Sequence, residues 1–415
     1  MRGEHFDIPV RAEALRDSPG GSLLEEFAQW LRKAGYAEIT VGKHIRGAEH
    51  FTHWTERKRI PVCSLNKHVL RRFGSHLSRC RCPGYRYWTK PRALKSARLF
   101  LEHLRDCGVI NACVAEPTAK QPALLTAFCQ WMREQRSTGD RALRNYSRWI
   151  SDFLSRHGED PHKFDAQSLR AFVLKTNQQR GWASAKHSTT ALRMFLRFLI
   201  AEGKCAAGLD AAVPVVARWR LSSLPRYLQP EEVERVIASC NRGARTDKRD
   251  RAILLLLARL GLRAGDVANL RLSDIDWQGA WIAVSGKAKR QARLPLTQQV
   301  GDAIATYLQN ERPHTNSDVL FIRTRAPIRA LADYRVVSVI VKRAMQRAGV
   351  SCPSRGAAHV LRHSAATSML RHGASLQDIA AVLRHRSIET TQIYAKVDAT
   401  ALRRIAQPWP GVRPC

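Results

Sequence analysis

Leu383-Arg384-His385-Arg386-Ser387-Ile388-Glu389-Thr390-Thr391-Gln392-Ile393-Tyr394 sets a tyrosine nine residues after a histidine, with a serine placed between them to cap a helix. A lone tyrosine in such a segment ordinarily packs, so the neighbours decide how it is read. Upstream stands His359-Val360-Leu361-Arg362, whose spacing of three puts imidazole and guanidinium on one side of a helix. Further back, Trp281 to Val284 and Ala292 to Leu296 read as short strands around a polar turn at Gly286 to Arg290, and that turn carries Lys287. Before them, Gly261-Leu262-Arg263-Ala264-Gly265-Asp266 follows the apolar helix Ile253 to Leu257 and sets an acid three residues after Arg263. Each piece alone is weak, because Arg–Asp and His–Arg pairs at this spacing are common on solvated helix faces. The ordered set Arg263, Lys287, His359, Arg362, His385 and Tyr394 is what makes a candidate site.

The N-terminal half repeats itself. LLEEFAQWL from Leu23 matches LLTAFCQWM from Leu124, an offset of 101, with Phe27 on Phe128 and Trp30 on Trp131. Phe51 and Trp54 then align with Ile150 and Phe153, Leu70 and Phe73 with Leu169 and Phe172. Leu99, Phe100, Leu104 and Gly108 align with Met194, Phe195, Leu199 and Gly203, at an offset of 95. Apolar residues recur at three and four in each copy, which predicts four or five amphipathic helices per copy. Ordered aromatic matches over this length point to duplication rather than a general likeness between bundles.

The expected organisation is an N-terminal extension (1–21), two related helical domains (22–110 and 123–206), a linker (207–221), a third domain (222–406) and a short tail (407–415). Gln229-Pro230-Glu231-Glu232 opens the first helix after the linker, with acids in its first turn. The fold class is mainly α: two N-terminal helical bundles, then a third domain with a small β-hairpin.

Lys and Arg number 69 against 35 Asp and Glu, a formal charge of +34. A polyanion is the expected partner, and because the charge is spread along the chain, several domains are expected to touch phosphates. The longest apolar run, Ala252 to Ala258, is too short to span a bilayer, so no membrane association is expected. Residues 1–21 lack the apolar core of a signal peptide, which predicts a cytoplasmic protein whose ten cysteines are thiols. In His76-Leu77-Ser78-Arg79-Cys80-Arg81-Cys82, the histidine and two cysteines could hold zinc with Cys63 or His68, but the spacing is not that of an ordinary zinc module. The expectation is no metal there, and a loop that contacts DNA or a dimer partner.

Taken together, the motifs resemble the tyrosine recombinases, over Leu224 to about Ile405. That family carries G-L-R followed by an acid, a G-K turn in a hairpin, H-x-L-R, and L-G-H with a tyrosine nine positions on. Here these read Gly261-Leu262-Arg263, Gly286-Lys287, His359-Val360-Leu361-Arg362, and Leu383-Arg384-His385 with Tyr394. Asp266 stands where the family usually has Glu, and Arg384 where it usually has Gly; Asp266 shortens the reach, and Arg384 adds a cation expected to contact DNA.

The resemblance implies that residues 222–406 are a catalytic domain, that residues 123–206 are a core-binding domain of SAM-like fold, and that the first copy is an accessory DNA- or protein-binding module. It implies a homo-tetramer acting on two double-stranded DNA sites, with room for partner recombinases. Arg263 and Arg362 would hold the non-bridging phosphate oxygens, and Tyr394 would attack phosphorus. His359 is the candidate proton acceptor, Lys287 the donor to the leaving oxygen, and His385 a hydrogen-bond donor to the phosphate. No cofactor is expected, and the third domain's sequence has no carboxylate cluster of the two-metal kind. The competing expectations are a type IB topoisomerase, which rejoins the same strand, and a catalytically idle DNA-binding accessory protein.

Overall fold

The same aromatic contacts recur in both N-terminal copies. In the first, Phe27 meets Phe100 edge-on at 5.2 Å and Trp54 meets Phe73 at 5.4 Å. In the second, Phe128 meets Phe195 edge-on at 5.7 Å and Phe153 meets Phe172 at 5.4 Å. These are the pairs that the sequence repeat aligns. A computed structural model describes residues 20–82, 85, 90–110, 122–215, 225–285, 291–331, 333–353, 356–385 and 387–397. The chain divides into two units, residues 1–111 with 221–415, and residues 112–220.

Among the described residues each copy has four α-helices: α1 (Gly21–Lys33), α2 (Glu38–Arg57), α3 (Lys67–Leu77) and α4 (Lys90–Asp106) in the first; α5 (Ala123–Arg136), α6 (Asp140–His157), α7 (Ala166–Arg180) and α8 (Trp182–Ala201) in the second. Local chemistry repeats as well. Asn66 caps α3 by accepting from the amides of His68 and Val69, and Asp165 caps α7 by accepting from that of Ser168. Gly108 and Gly203 end α4 and α8 in the left-handed region, where the next amides bond back to Leu104 and Leu199.

The third domain packs on α10 (Asp247–Ala258), whose residues Ala252 to Leu257 are all fully buried. Around it stand α9 (Pro230–Ala238), α11 (Ala264–Asn269), α12 (Gln298–Asn310), α13 (Tyr334–Arg347), α14 (Ala357–Arg371) and α15 (Leu376–Leu383). An antiparallel sheet in the order β1 (Ile275–Asp276), β2 (Trp281–Ser285), β3 (Gln291–Pro295) pairs Ile282 with both Ile275 and Leu294. Ile282, Val284 and Leu294 face the core while Trp281 stays exposed, the period-two pattern of a one-sided sheet. No described helix is long and apolar enough to cross a membrane.

Within the first unit, the bundle of the first copy meets the third domain at the α1–α2 corner. The Ile328 amide donates to the Ala34 carbonyl at 2.9 Å, and Ala326 packs on the bundle's core. Gly35 has φ +83°, and a β-carbon there would lie 2.5 Å from Ile328 Cγ1. Gly35→Ala should therefore cost about 1–3 kcal/mol, from a strained φ and overpacking together, measured by chemical denaturation of the full chain. An unchanged midpoint would show that this corner yields freely.

Candidate active site

The site is assembled at the C-terminal end of α15. Ser375 and Asp378 cap its start, and its last turn ends at Arg384 in the left-handed region (φ 54°). The final carbonyls of a helix lack partners within it and carry the negative end of its dipole. Here guanidinium groups fill that role. Arg362, on α14 and 4% exposed, donates through Nη2 to the Leu383 carbonyl at 2.5 Å and through Nη1 to the Gly261 carbonyl. Arg263 donates through Nη2 to the Arg384 carbonyl at 2.9 Å. Gly261 must be glycine: its φ is +60°, and a β-carbon would lie 2.6 Å from Leu383 Cδ2.

The two departures from the family pattern are partners. Arg384 Nη2 pairs with Asp266 Oδ2, both side chains being about nine-tenths buried, and the same carboxylate oxygen accepts the Arg263 amide at 3.2 Å. Arg384 is thus turned inward onto Asp266, where the sequence led us to expect a DNA contact. Its Nε and Nη1 are buried and have no hydrogen-bond partner among the described residues. The shorter acid and the added cation fit each other, and the pair joins the turn after α15 to the first turn of α11.

His359 and Arg362 share one side of α14, as their spacing predicts. His359 is exposed on one side; the protein around it, then the charges of Arg362 and Arg263, lower its pKa below the ordinary histidine value. Sequence reading missed His363. Its Nδ1 lies 2.8 Å from the Tyr394 hydroxyl, and its ring is 6.4 Å from that of His359. The signal available was its place four residues after His359, on the same helix face. His385 bonds through Nδ1 to Thr391 Oγ1 at 2.8 Å.

Tyr394 lies in a 3₁₀ segment, Gln392–Val397, rather than an α-helix, and Ser387 caps the preceding 3₁₀ turn at Ile388–Thr390. Its ring is 1% exposed and packs with Ala366, Ile379 and Leu383. Burial raises its pKa to about 12, against the lowering effect of Arg362. Arg362 is itself lowered to about 10, by burial and then by the charge of Arg263. His385 is lowered to about 4 by burial, Arg362 and Arg263, and His363 to about 4 by burial, His359 and Arg362. Three guanidinium groups thus surround one carboxylate, a local excess of positive charge beside Tyr394. Lys287 lies outside the described residues, in the segment 286–290 that joins β2 and β3.

The phage integrase family pattern matches residues 226–401. The Sinorhizobium fredii (strain NBRC 101917 / NGR234) protein y4rA, named as an integrase/recombinase, is 37% identical over 95% of this chain and 96% of its own. The site-specific recombinase XerH, solved with a palindromic difH substrate after cleavage, shares the fold with a TM-score of 0.56 at 18% identity, covering 81% of this chain and 92% of that one. A lambda integrase tetramer on a Holliday junction aligns with a TM-score of 0.51 at 19% identity, over 70% of this chain and 79% of that one.

The lowered histidines have a consequence for stability. His363, His385 and the buried His44, which bonds Ser96 at 3.0 Å, have pKa values of about 4 against an ordinary 6.5. Between these values the unfolded chain binds more protons than the folded one, so their contribution is present above pH 6.5 and is lost as pH falls towards 4. Denaturation midpoints should be level above about pH 7 and drop from about pH 6.5 to 5, before most carboxylates titrate. A midpoint that holds steady across that interval would contradict neutral, buried imidazoles.

Proposed function

This chain belongs to the phage integrase family of tyrosine recombinases, and is a site-specific DNA recombinase; on that premise we propose that Tyr394 is its nucleophile and that the surrounding cations hold the scissile phosphate. The observation that carries this assignment is the excess of guanidinium charge, from Arg263, Arg362 and Arg384 against Asp266 among the described residues, gathered beside a tyrosine. A phosphodiester resists attack because its anionic oxygens repel nucleophiles and its charge grows in the transition state; fixed cations lower that barrier.

In the proposed reaction Tyr394 Oη forms a bond to phosphorus and the bond to the deoxyribose 5′ oxygen breaks. The tyrosine proton passes to an imidazole, and a second proton goes to the departing oxygen. In the free chain the hydroxyl is paired with His363; His359, exposed one turn earlier, is the candidate acceptor when the phosphate is in place. His385, held by Thr391 through Nδ1, has Nε2 left to face the phosphate. Lys287 is the candidate donor to the 5′ oxygen, its flexible ammonium suited to reaching a leaving group. The 3′-phosphotyrosine keeps the energy of the broken ester, so a 5′ hydroxyl of another strand reverses the step with no ATP or metal.

Strand exchange between two duplexes needs two active sites on each, so the assembly we propose is a homo-tetramer on two DNA sites. Partner recombinases are a further candidate contact. The setting is the cytoplasm and the service of a mobile genetic element. Both N-terminal bundles would add phosphate contacts to those of the catalytic domain.

Replacing Tyr394 with Phe should leave DNA affinity within about three-fold of normal and abolish covalent capture of a nicked suicide substrate, since only the attacking oxygen goes. An adduct surviving in that variant would move the nucleophile elsewhere; Tyr334→Phe, outside the motif, is the control. Lys287→Ala should slow cleavage by about 10²–10⁴-fold. A 5′-phosphorothiolate substrate, whose leaving group needs little protonation, should recover most of that loss; without rescue, Lys287 is a binding residue.

A further inference from the structure

The two bundles differ most in architecture between their third and fourth helices. In the second, Gly181 alone separates α7 from α8. In the first, residues 78–89 separate α3 from α4, and this longer connection carries Cys80 and Cys82. Both thiols point back at the bundle. Cys80 Sγ lies 3.4 Å from His50 Nε2 on α2, and Cys82 Sγ lies 3.5 Å from His76 Nε2 near the end of α3. The four ligand atoms all lie within 4.8 Å of one another. From the geometry we propose that His50, His76, Cys80 and Cys82 form a zinc site that pins this connection to the first bundle.

The distances suit the metal. Zinc bonds of about 2.3 Å to sulfur and 2.0–2.1 Å to nitrogen at tetrahedral angles set neighbouring sulfur and nitrogen about 3.5 Å apart. Two thiolates and two neutral imidazoles balance the dication, so the complex adds no net charge to a buried place. Binding releases the two thiol protons to water. The mixed sulfur and nitrogen set favours zinc over magnesium or calcium, which take oxygen. His50 and Cys82 are buried while His76 and Cys80 are partly exposed, which leaves a way in. The amide of Cys82 donates to Cys80 Sγ at 3.4 Å, and the ring of Tyr85 stacks on His50 at 4.3 Å, so the ligands are already oriented. The second bundle has none of this: Trp149 and Lys175 align with His50 and His76, and its third and fourth helices need no clip.

The sequence suggested Cys63 or His68 as companions of His76, Cys80 and Cys82. Both are exposed and outside the cluster, and the fourth ligand is His50, which lies 26 residues before His76 in sequence and meets it only through the packing of α2 on α3.

The test uses the full chain purified without chelator. Elemental analysis should find one zinc per chain, and exchange with cobalt should give the visible bands of a tetrahedral ion together with thiolate-to-cobalt charge transfer in the near ultraviolet. Cys80→Ser and His76→Ala, at the two partly exposed ligands, should each weaken metal retention by at least about ten-fold. Cys63→Ser and His68→Ala should retain the metal. A chain that neither carries zinc nor develops the charge-transfer band with cobalt overturns the site, and the cluster is then two thiol–imidazole hydrogen bonds. The cobalt spectrum of the unaltered chain decides the matter even if a variant fails to fold.

Discussion

Arg362 is the constraint on which the catalytic domain depends. Its guanidinium is almost wholly buried and bridges the Gly261 carbonyl before α11 to the Leu383 carbonyl at the end of α15, from a position in the middle of α14. Three segments far apart in sequence are therefore fixed by one planar group, whose rigid fork can hold two carbonyls at once. Losing it would strand both carbonyls and release the turn that carries His385. The residue proposed to hold the phosphate is thus the joint of its own site, and replacing it with alanine would not separate that proposed role from the structural one.

The same joint sits in an excess of positive charge. Arg263 and Arg384 sit close to Arg362, and among the described residues Asp266 is the acid that answers them. Like charges at this range destabilise one another; burial and mutual repulsion lower the pKa of Arg362. On the proposed assignment, an arriving phosphodiester would relieve that repulsion, and binding energy would be available where charge develops in the transition state. Tyr394 stands on the other side of this balance. Packed with Ile379 and Leu383 and bonded to His363, it is a poor nucleophile in the free chain, since burial opposes its ionisation. On the assignment proposed above, attack would therefore require the hydroxyl to leave His363 for a proton acceptor that stands beside it once the phosphate is in place.

Much of this was legible in the sequence, and for physical reasons. Helical periodicity and the aligned aromatics pointed to two related bundles of four or five helices each, because a bundle core reuses the same contacts, Phe27 with Phe100 and Phe128 with Phe195. Short-range spacing placed His359 beside Arg362, and turn residues marked the hairpin. What stayed hidden depends on contacts across the fold. Asp266 and Arg384 read as two separate departures, yet they are one ion pair 118 residues apart. His363 was passed over because its partner, Tyr394, comes from a different segment. His50 joins Cys80 only because α2 packs beside α3, and no local spacing encodes that. Lys287, placed by the hairpin pattern, falls where the structure describes no residues.

The two bundles share one fold but differ in what their corners meet. The α1–α2 corner of the first copy is committed to the catalytic domain: Gly35 makes room for Ile328, and Ala34 accepts its amide. The matching corner of the second copy, at Arg136 and Ser137, is polar and exposed. Any DNA contact by the first copy must then come from another surface. The exposed Lys67, Arg71 and Arg72 on α3 are continuous with Arg79 and Arg81, on the connection that the cysteines tie to the bundle. A flexible connection would pay the entropy of ordering each time these arginines met a phosphate, whereas one fixed to α2 and α3 presents them already in place. If the first copy binds DNA, the two cysteines and the basic face of α3 would act together, the thiols holding Arg79 and Arg81 beside that face before any phosphate arrives.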